Sequence, residues 1–364
     1  MPFSLHDTAK VKPRIAGLFL MPLRWTCAWI LFAAAWRRLV LKPEALDPSS
    51  PLYEGLKLNH FIPHTAWIKP ILNYVVLNPD VLLTFLWCFT IMEATTGILL
   101  FLGLGTRFLG LLSAGLFTGL MLVAGWLGTT CLDEWTVASF GIGIGLCLFL
   151  AGSGPYSIDA LIFKRFSHLV EHRIWGIFVS PELSFIRDYK EAKRYAIVLS
   201  ILALVFVLYT NQHFVGGVYG PFHNPATSMN IKSHTKLQSN GDMALTLYRN
   251  EGPDTYGAFI IHITLKNSAG NIVLNYGEKE LGQLSANHIV IHNRYPVKAL
   301  SNGYAFVLPL GCLVTLHLTP PTPIQLAAGE YHVIITDVSG RTWESTTTVG
   351  NSLEQPFNPY NLIT

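Results

Sequence analysis

Several long apolar runs dominate the chain, and a soluble fold has no place for them. A helix that crosses a bilayer needs about 20 largely apolar residues. Four runs before residue 155 approach that length: residues 20–40, 81–102, 108–127 and 135–151. A fifth, 195–209, is shorter but unbroken. The composition agrees. Hydrophobic residues make up 51% and charged residues 13% of the 364, about half the charge of an ordinary soluble domain. The net charge of +3 comes without a long basic run, so nucleic acid is not an expected partner. The lipid bilayer is.

Lysine and arginine collect on the cytoplasmic side of membrane helices. Lys10, Lys12, Arg14, Arg24, Arg107, Lys164, Arg165, Arg173, Arg187, Lys190, Lys193 and Arg194 fall on one side if the N-terminus lies inside. That orientation puts 41–80, 128–134 and everything after 209 outside, in a cytoplasmic (inner) membrane. The N-terminal stretch lacks a small-residue cleavage site, so the first run reads as a retained helix. Segment 152–194 mixes apolar and charged residues, as expected of short amphipathic helices on the cytoplasmic face. Glycines 141, 143 and 145 weaken the fourth run as an isolated helix but suit close packing in a bundle.

After a Gly/Pro-rich neck the periodicity changes to alternation. Residues 243–249, 258–266, 271–276, 288–292, 304–309, 313–318, 331–337 and 342–349 read as strands. The expected architecture is a membrane all-α four-helix bundle plus a fifth transmembrane helix, followed by an all-β antiparallel sandwich domain. The corresponding boundaries are 15–180 for the helical domain with its cytoplasmic segment and 181–225 for the linker and fifth helix. The outer β domain takes 226–350, and 351–364 is a tail.

Unusual residues gather on the outer side. Cys131, Asp133 and Glu134 lie between Trp126 and Trp135. Lys57, His60 and His64 lie in the first outer loop, and Arg37 and Arg38 end the first helix. Arginines give directional hydrogen bonds to oxyanions, and a cysteine near cations gains thiolate character. Plainer readings stand beside these. Trp126 and Trp135 suit an aromatic belt, Arg37 and Arg38 can snorkel, and Cys131 can be an inert small residue. Cys27, Cys88 and Cys147 read as packing, and so does Cys312 in the β domain. His60 and His64 share an i, i+4 spacing, but Pro63 disfavours a helix and no third ligand follows, so no metal site is read. Glu93 is sharper. An ionisable group in mid-span must be paired, neutral or facing a cavity, and is a functional candidate. Its two readings are an ion pair with Arg24, Arg37 or Arg38, and proton transfer at a buried site. No CxxC, CxxCH, GxGxxG or GxxxxGK[ST] motif is present.

Two sets of motifs carry a family resemblance. Glu93-x-x-x-Gly97, Gly103-Leu-Gly-Thr-Arg107 and Gly152-Ser-Gly-Pro-Tyr-Ser-Ile-Asp159 resemble the DoxX-like four-helix membrane family. Trp36-Arg-Arg-Leu-Val-Leu-Lys-Pro43, the stretch Leu46 to Asn59, and Trp126-Leu-Gly-Thr-Thr-Cys-Leu-Asp-Glu-Trp135 are more specific. They resemble the DoxD subunit of thiosulfate:quinone oxidoreductase over about residues 15–165. The fifth helix and β domain resemble its DoxA subunit over about 190–350, by architecture and order more than by motif.

The resemblance implies oxidation of two thiosulfates to tetrathionate on the outer face, with electrons passed to the membrane quinone pool. Bound quinone is then the acceptor, and no flavin, haem or metal is expected. Arg37, Arg38, Lys57, His60 and His64 become the thiosulfate-binding candidates. Trp126, Trp135 and Glu93 become the quinone-side candidates. Cys131, as thiolate or persulfide, is placed to carry a thiosulfate adduct, with Asp133, Glu134 and Glu93 serving proton uptake. Oxidation of bound thiosulfate without a covalent adduct is the other route. The rival functions are a non-catalytic DoxX-like assembly or stress protein, and an anion transporter. Whether the chain forms a homo-oligomer stays open.

Overall fold

The computed structural model describes residues 14–50, 52–127, 133–166, 173–178, 189–253, 258–293, 297, 299–349 and 357–363. The chain divides into two compact units. One holds residues 1–53, 83–125 and 131–222, and the other holds 54–82, 126–130 and 223–364. The sequence boundaries assign 54–82 to the helical domain. In the structure that loop clusters with the strand-bearing unit.

The helical unit contains α1 (Met21–Trp36), most of α2 (Pro79–Leu102), α3 (Thr106–Ala124), α4 (Asp133–Ala151), α5 (Ile158–Arg165) and α6 (Tyr189–Val215). Among the described residues, four helical stretches are long and apolar enough to span a membrane: Pro79–Leu102, Thr106–Ala124, Glu134–Ala151 and Lys193–Val215. The first apolar run is not among them. Its α-helical part has 16 residues and runs directly into a π-helical turn, Arg37–Leu41.

Missing side chains let the helices approach. A Cβ on Gly97 would lie 2.8 Å from the Ala28 carbonyl oxygen and the Phe32 nitrogen of α1. A Cβ on Gly110 would meet the Gly145 oxygen at 2.7 Å, and one on Gly145 the Gly110 oxygen at 2.5 Å. In lipid the hydrophobic effect does not drive helices together, so packing at this range is a main source of cohesion. Gly141 lies under the Phe117 ring, whereas Gly143 faces nothing within 4 Å.

The turn between α2 and α3 is tied to α5 by a buried carboxylate. Asp159 accepts hydrogen bonds from the Gly105 N–H at 2.8 Å and the Thr106 N–H at 3.2 Å. These are among the donors left unpaired at the start of α3, and the helix dipole favours an anion there. Gly105 holds φ at +64°, in the left-handed region that glycine enters without strain. Burial pushes the Asp159 carboxyl up to about 6, against the pull of Gly105, Thr106, Ser153 and Arg24. Arg24 is buried too and donates to the carbonyls of Ser153 and Tyr156. Arg107 donates to the carbonyls of Phe149 and Leu150 at the end of α4. The Gly103–Arg107 and Gly152–Asp159 motifs are therefore partners in one structural joint.

Among the described residues the second unit has ten strands: β1 (Asn230–Leu237), β2 (Met243–Glu251), β3 (Ala258–Asn267), β4 (Ile272–Tyr276), β5 (Ile289–Ile291), β6 (Leu300–Ser301), β7 (Phe306–Leu308), β8 (Leu313–Leu318), β9 (Gly329–Asp337) and β10 (Thr342–Val349). They form one hydrogen-bonded path, β5-β8-β2-β1-β10-β9-β3-β7-β6, with β4 also on β3. The expected all-β domain is thus a single curled sheet, nearly a barrel. Every pairing is antiparallel except the short parallel contact of β1 with β10. Leu245, Leu247, Ile260, Ile263, Val314, Leu316, Val333 and Ile335 alternate into its common core.

The strands β1 and β6 have no counterpart among the sequence-read strands. The core-facing positions of β1 include Ser233 and Thr235 between Ile231 and Leu237, which blurs the alternation. The last residues are not a free tail. Phe357 stacks on His234 with ring centroids 3.7 Å apart, and Tyr360 donates to the His292 carbonyl at 2.8 Å.

Candidate functional site

Within the helical unit, Arg38 and Glu93 form a buried ion pair at 2.6 Å. Arg38 sits in the π-turn, where the Lys42 N–H reaches back five residues to the Arg37 carbonyl at 2.7 Å. Such turns inside helices frequently mark functional positions. Glu93 and Thr90 lie three residues apart on α2 and so share a face. The same guanidinium nitrogen of Arg38 donates to both, reaching the Thr90 hydroxyl at 3.1 Å. The Phe89 ring lies 5.8 Å from the Arg38 guanidinium carbon, within cation–π range. Leaving either charge buried alone costs several kcal/mol. The pairing meets that cost and keeps an ionisable, hydrogen-bonding group inside an apolar bundle.

This arrangement selects Arg38 among the three arginines named as partners of Glu93. It also changes the place of Arg38. Its charge is met by Glu93 within the helical unit. Arg37, the next residue in the same turn, is exposed.

Within the sheet unit, His64 faces Glu251 at the end of β2. The imidazole Nε2 lies 3.3 Å from the carboxylate Oε1. His223 approaches the same oxygen at 3.5 Å, and the Ser228 hydroxyl donates to Oε2 at 3.1 Å. Burial pushes the Glu251 carboxyl up, but His64, Ser228 and His223 outweigh it and hold the group below its ordinary value. On its other side His64 meets Trp126, with centroids 4.9 Å apart. Trp126 is fully buried and donates its indole N–H to the Phe61 carbonyl at 3.2 Å. Its indole is therefore part of the unit's interior and not an aromatic-belt anchor. The loop carrying His64 is seated closely on the sheet. A Cβ on Gly311, which adopts φ +72°, would overlap the Asn59 carbonyl at 2.0 Å.

The remaining candidates are dispersed. Lys57 is exposed, and His60 is half-buried in the short turn Leu58–Phe61. Glu134 is half-buried in the first turn of α4. Trp135 donates to the Thr210 hydroxyl of α6 at 3.2 Å. Cys131 and the Asp133 side chain lie outside the described residues. Among the described residues no trio of His, Cys, Asp or Glu is placed to hold a metal ion. The sequence reading missed Thr90, Glu251, His223 and Ser228. Thr90 had a usable signal, a hydroxyl one helical turn from Glu93. The other three come together only through the sheet.

Apolar helices of spanning length and a strand-rich unit, with a charged pair buried in the helical unit, define a membrane protein. Residues 19–186 match the family described as TQO small subunit DoxD, and residues 214–346 match TQO small subunit DoxA. The chain belongs to these two families, fused in one polypeptide, and its role is that of an oxidoreductase in thiosulfate:quinone activity.

Proposed function

We propose that the chain oxidises thiosulfate to tetrathionate at the outer face of the cytoplasmic membrane and passes the electrons to membrane quinone. The balanced reaction is two thiosulfate dianions plus quinone plus two protons giving one tetrathionate dianion plus quinol. The buried Arg38–Glu93–Thr90 cluster carries the reading. Quinone is lipophilic, and its carbonyls need hydrogen-bond donors and protons when it accepts two electrons. The Arg38 guanidinium and the Thr90 hydroxyl are such donors, and Glu93 is a carboxyl able to pass a proton. Trp135 is the aromatic candidate of the same unit.

Thiosulfate is a dianion and stays in water. Arg37, Lys57, His60 and His64 are its receptors, and Cys131 is the candidate thiol. The distribution of lysine and arginine supports an inside N-terminus and an outside sheet unit.

The test is turnover by the purified full chain in mild detergent with thiosulfate and a soluble quinone analogue. Absorbance follows quinone and chromatography follows tetrathionate. Two thiosulfates lost per quinone reduced is the expected stoichiometry. A folded, quinone-loaded protein that yields neither product refutes the assignment.

A further inference from the structure

Glu251 belongs to no family motif quoted above. Three polar side chains converge on it. His64 and His223 face Oε1 at 3.3 and 3.5 Å, and Ser228 donates to Oε2 at 3.1 Å. The carboxylate is mostly buried while the His64 side chain is 30% exposed. Nε2 of His64 is buried and approaches Glu251 as an ion pair without hydrogen-bond geometry. Trp126 packs against the ring, and Nδ1 has no hydrogen-bond partner among the described residues. An imidazole held through one nitrogen by a carboxylate has its tautomer and orientation set by that contact. Its other nitrogen is left to act on a ligand.

We propose that Glu251 is the positioning residue for His64, and that the pair presents the Nδ1–H of protonated His64 to the thiosulfate dianion. The proposal rests on the thiosulfate reading above and extends it to a specific receptor. Neutral His64, with Nε2–H turned to Glu251, would offer Nδ1 as a lone pair and repel an anion. Protonated His64 donates from both nitrogens, to Glu251 on one side and to the dianion on the other. His223 offsets the carboxylate's charge on the same oxygen, and Trp126 restricts the ring. The other charged group on Glu251 is Arg249, whose Nε donates to the Glu251 backbone carbonyl at 3.2 Å. Because its neighbours hold it below its ordinary range, Glu251 stays ionised into acid.

The experiment measures KM for thiosulfate and for the quinone analogue across pH in wild type, Glu251→Gln, Glu251→Asp and His64→Gln. Calorimetric binding of thiosulfate and of sulfate, without quinone, runs in parallel. Loss of a charge-assisted hydrogen bond predicts a thiosulfate KM raised about tenfold in Glu251→Gln and His64→Gln. The quinone KM and kcat should move less than about twofold on the same scale, and Glu251→Asp should recover part of the loss. If Glu251→Gln does not fold, His64→Gln, at a half-exposed position, carries the test. Wild-type turnover with thiosulfate KM unmoved in the folded variants overturns this inference and leaves the oxidoreductase reading intact. Dianion binding that falls in His64→Gln, in a chain without turnover, keeps the anion site and removes the oxidoreductase reading.

Discussion

Replacing Arg38 with Met leaves Glu93 buried beside Thr90 with its salt-bridge partner gone. Both side chains are about nine-tenths buried and meet at 2.6 Å, and Met keeps much of the stem that packs near Phe89. The loss is therefore mainly electrostatic. Breaking one side of a buried pair costs about 3–5 kcal/mol, whereas replacing both partners with apolar groups of similar size is near neutral. Thermal unfolding in detergent should show Arg38→Met strongly destabilised and Arg38→Met/Glu93→Leu recovering most of that loss. Quinone reduction by the double variant separates structure from chemistry. A folded double variant should be inactive, because the guanidinium donor and the proton-passing carboxyl are both gone. A single variant within about 1 kcal/mol of wild type would contradict the burial argument. A double variant with full turnover would reduce the pair to scaffolding.

Asp159 makes the helical unit sensitive to pH. Its folded value of about 6 lies above the ordinary carboxyl value, so the folded state holds the proton more tightly. Stability should fall by up to about 3 kcal/mol as pH rises from about 4 to about 6. Unfolding curves of Asp159→Asn should lack that slope, and an unchanged slope would assign it to another group. Gly97→Leu should wedge α2 away from α1, since even a Cβ lies 2.8 Å from two backbone atoms. The cost is at least about 1–3 kcal/mol, read as lost folded yield in detergent, and wild-type yield and melting would rule out the close packing. Cys131→Ser separates the two routes to tetrathionate. In the covalent route, thiolate and thiosulfate lose two electrons to quinone and form a Cys–S–SSO3 adduct. A second thiosulfate then attacks the adduct's sulfane sulfur and releases tetrathionate and thiolate. Loss of turnover with retained thiosulfate binding is expected, and full turnover eliminates the adduct.

How much was legible depended on whether the signal was local. Apolar length marked α2, α3, α4 and α6, and strict alternation gave β8 and β10 with matching limits. The apolar run 20–40 marked the first helix, whereas its change to π-helix at Arg37 leaves hydropathy untouched. For β1 the difficulty was hydroxyls in core-facing positions. Glu93 was visible because a carboxylate in an apolar run is anomalous wherever it folds. Its partner was not, since Arg24, Arg37 and Arg38 all lay within the first segment and only the π-turn chooses among them. Glu251 gave no signal, because a carboxylate at a strand end is ordinary until two histidines from other segments reach it.

The motifs that made the family recognisable are mostly the ones that hold the helices together. Gly97 is the contact with α1. Gly103–Arg107 and Gly152–Asp159 build the joint in which Asp159 caps α3, while Arg24 and Arg107 tie down backbone carbonyls. A four-helix membrane scaffold needs that joint whatever reaction it carries, so those motifs argue for a fold and say little about chemistry. The Arg38–Glu93 pair argues further. A scaffold gains little from a buried ion pair that an apolar pair could replace. With Arg38 in a π-turn and the Thr90 hydroxyl on the same guanidinium nitrogen, the helical unit keeps a polar, ionisable group in its interior.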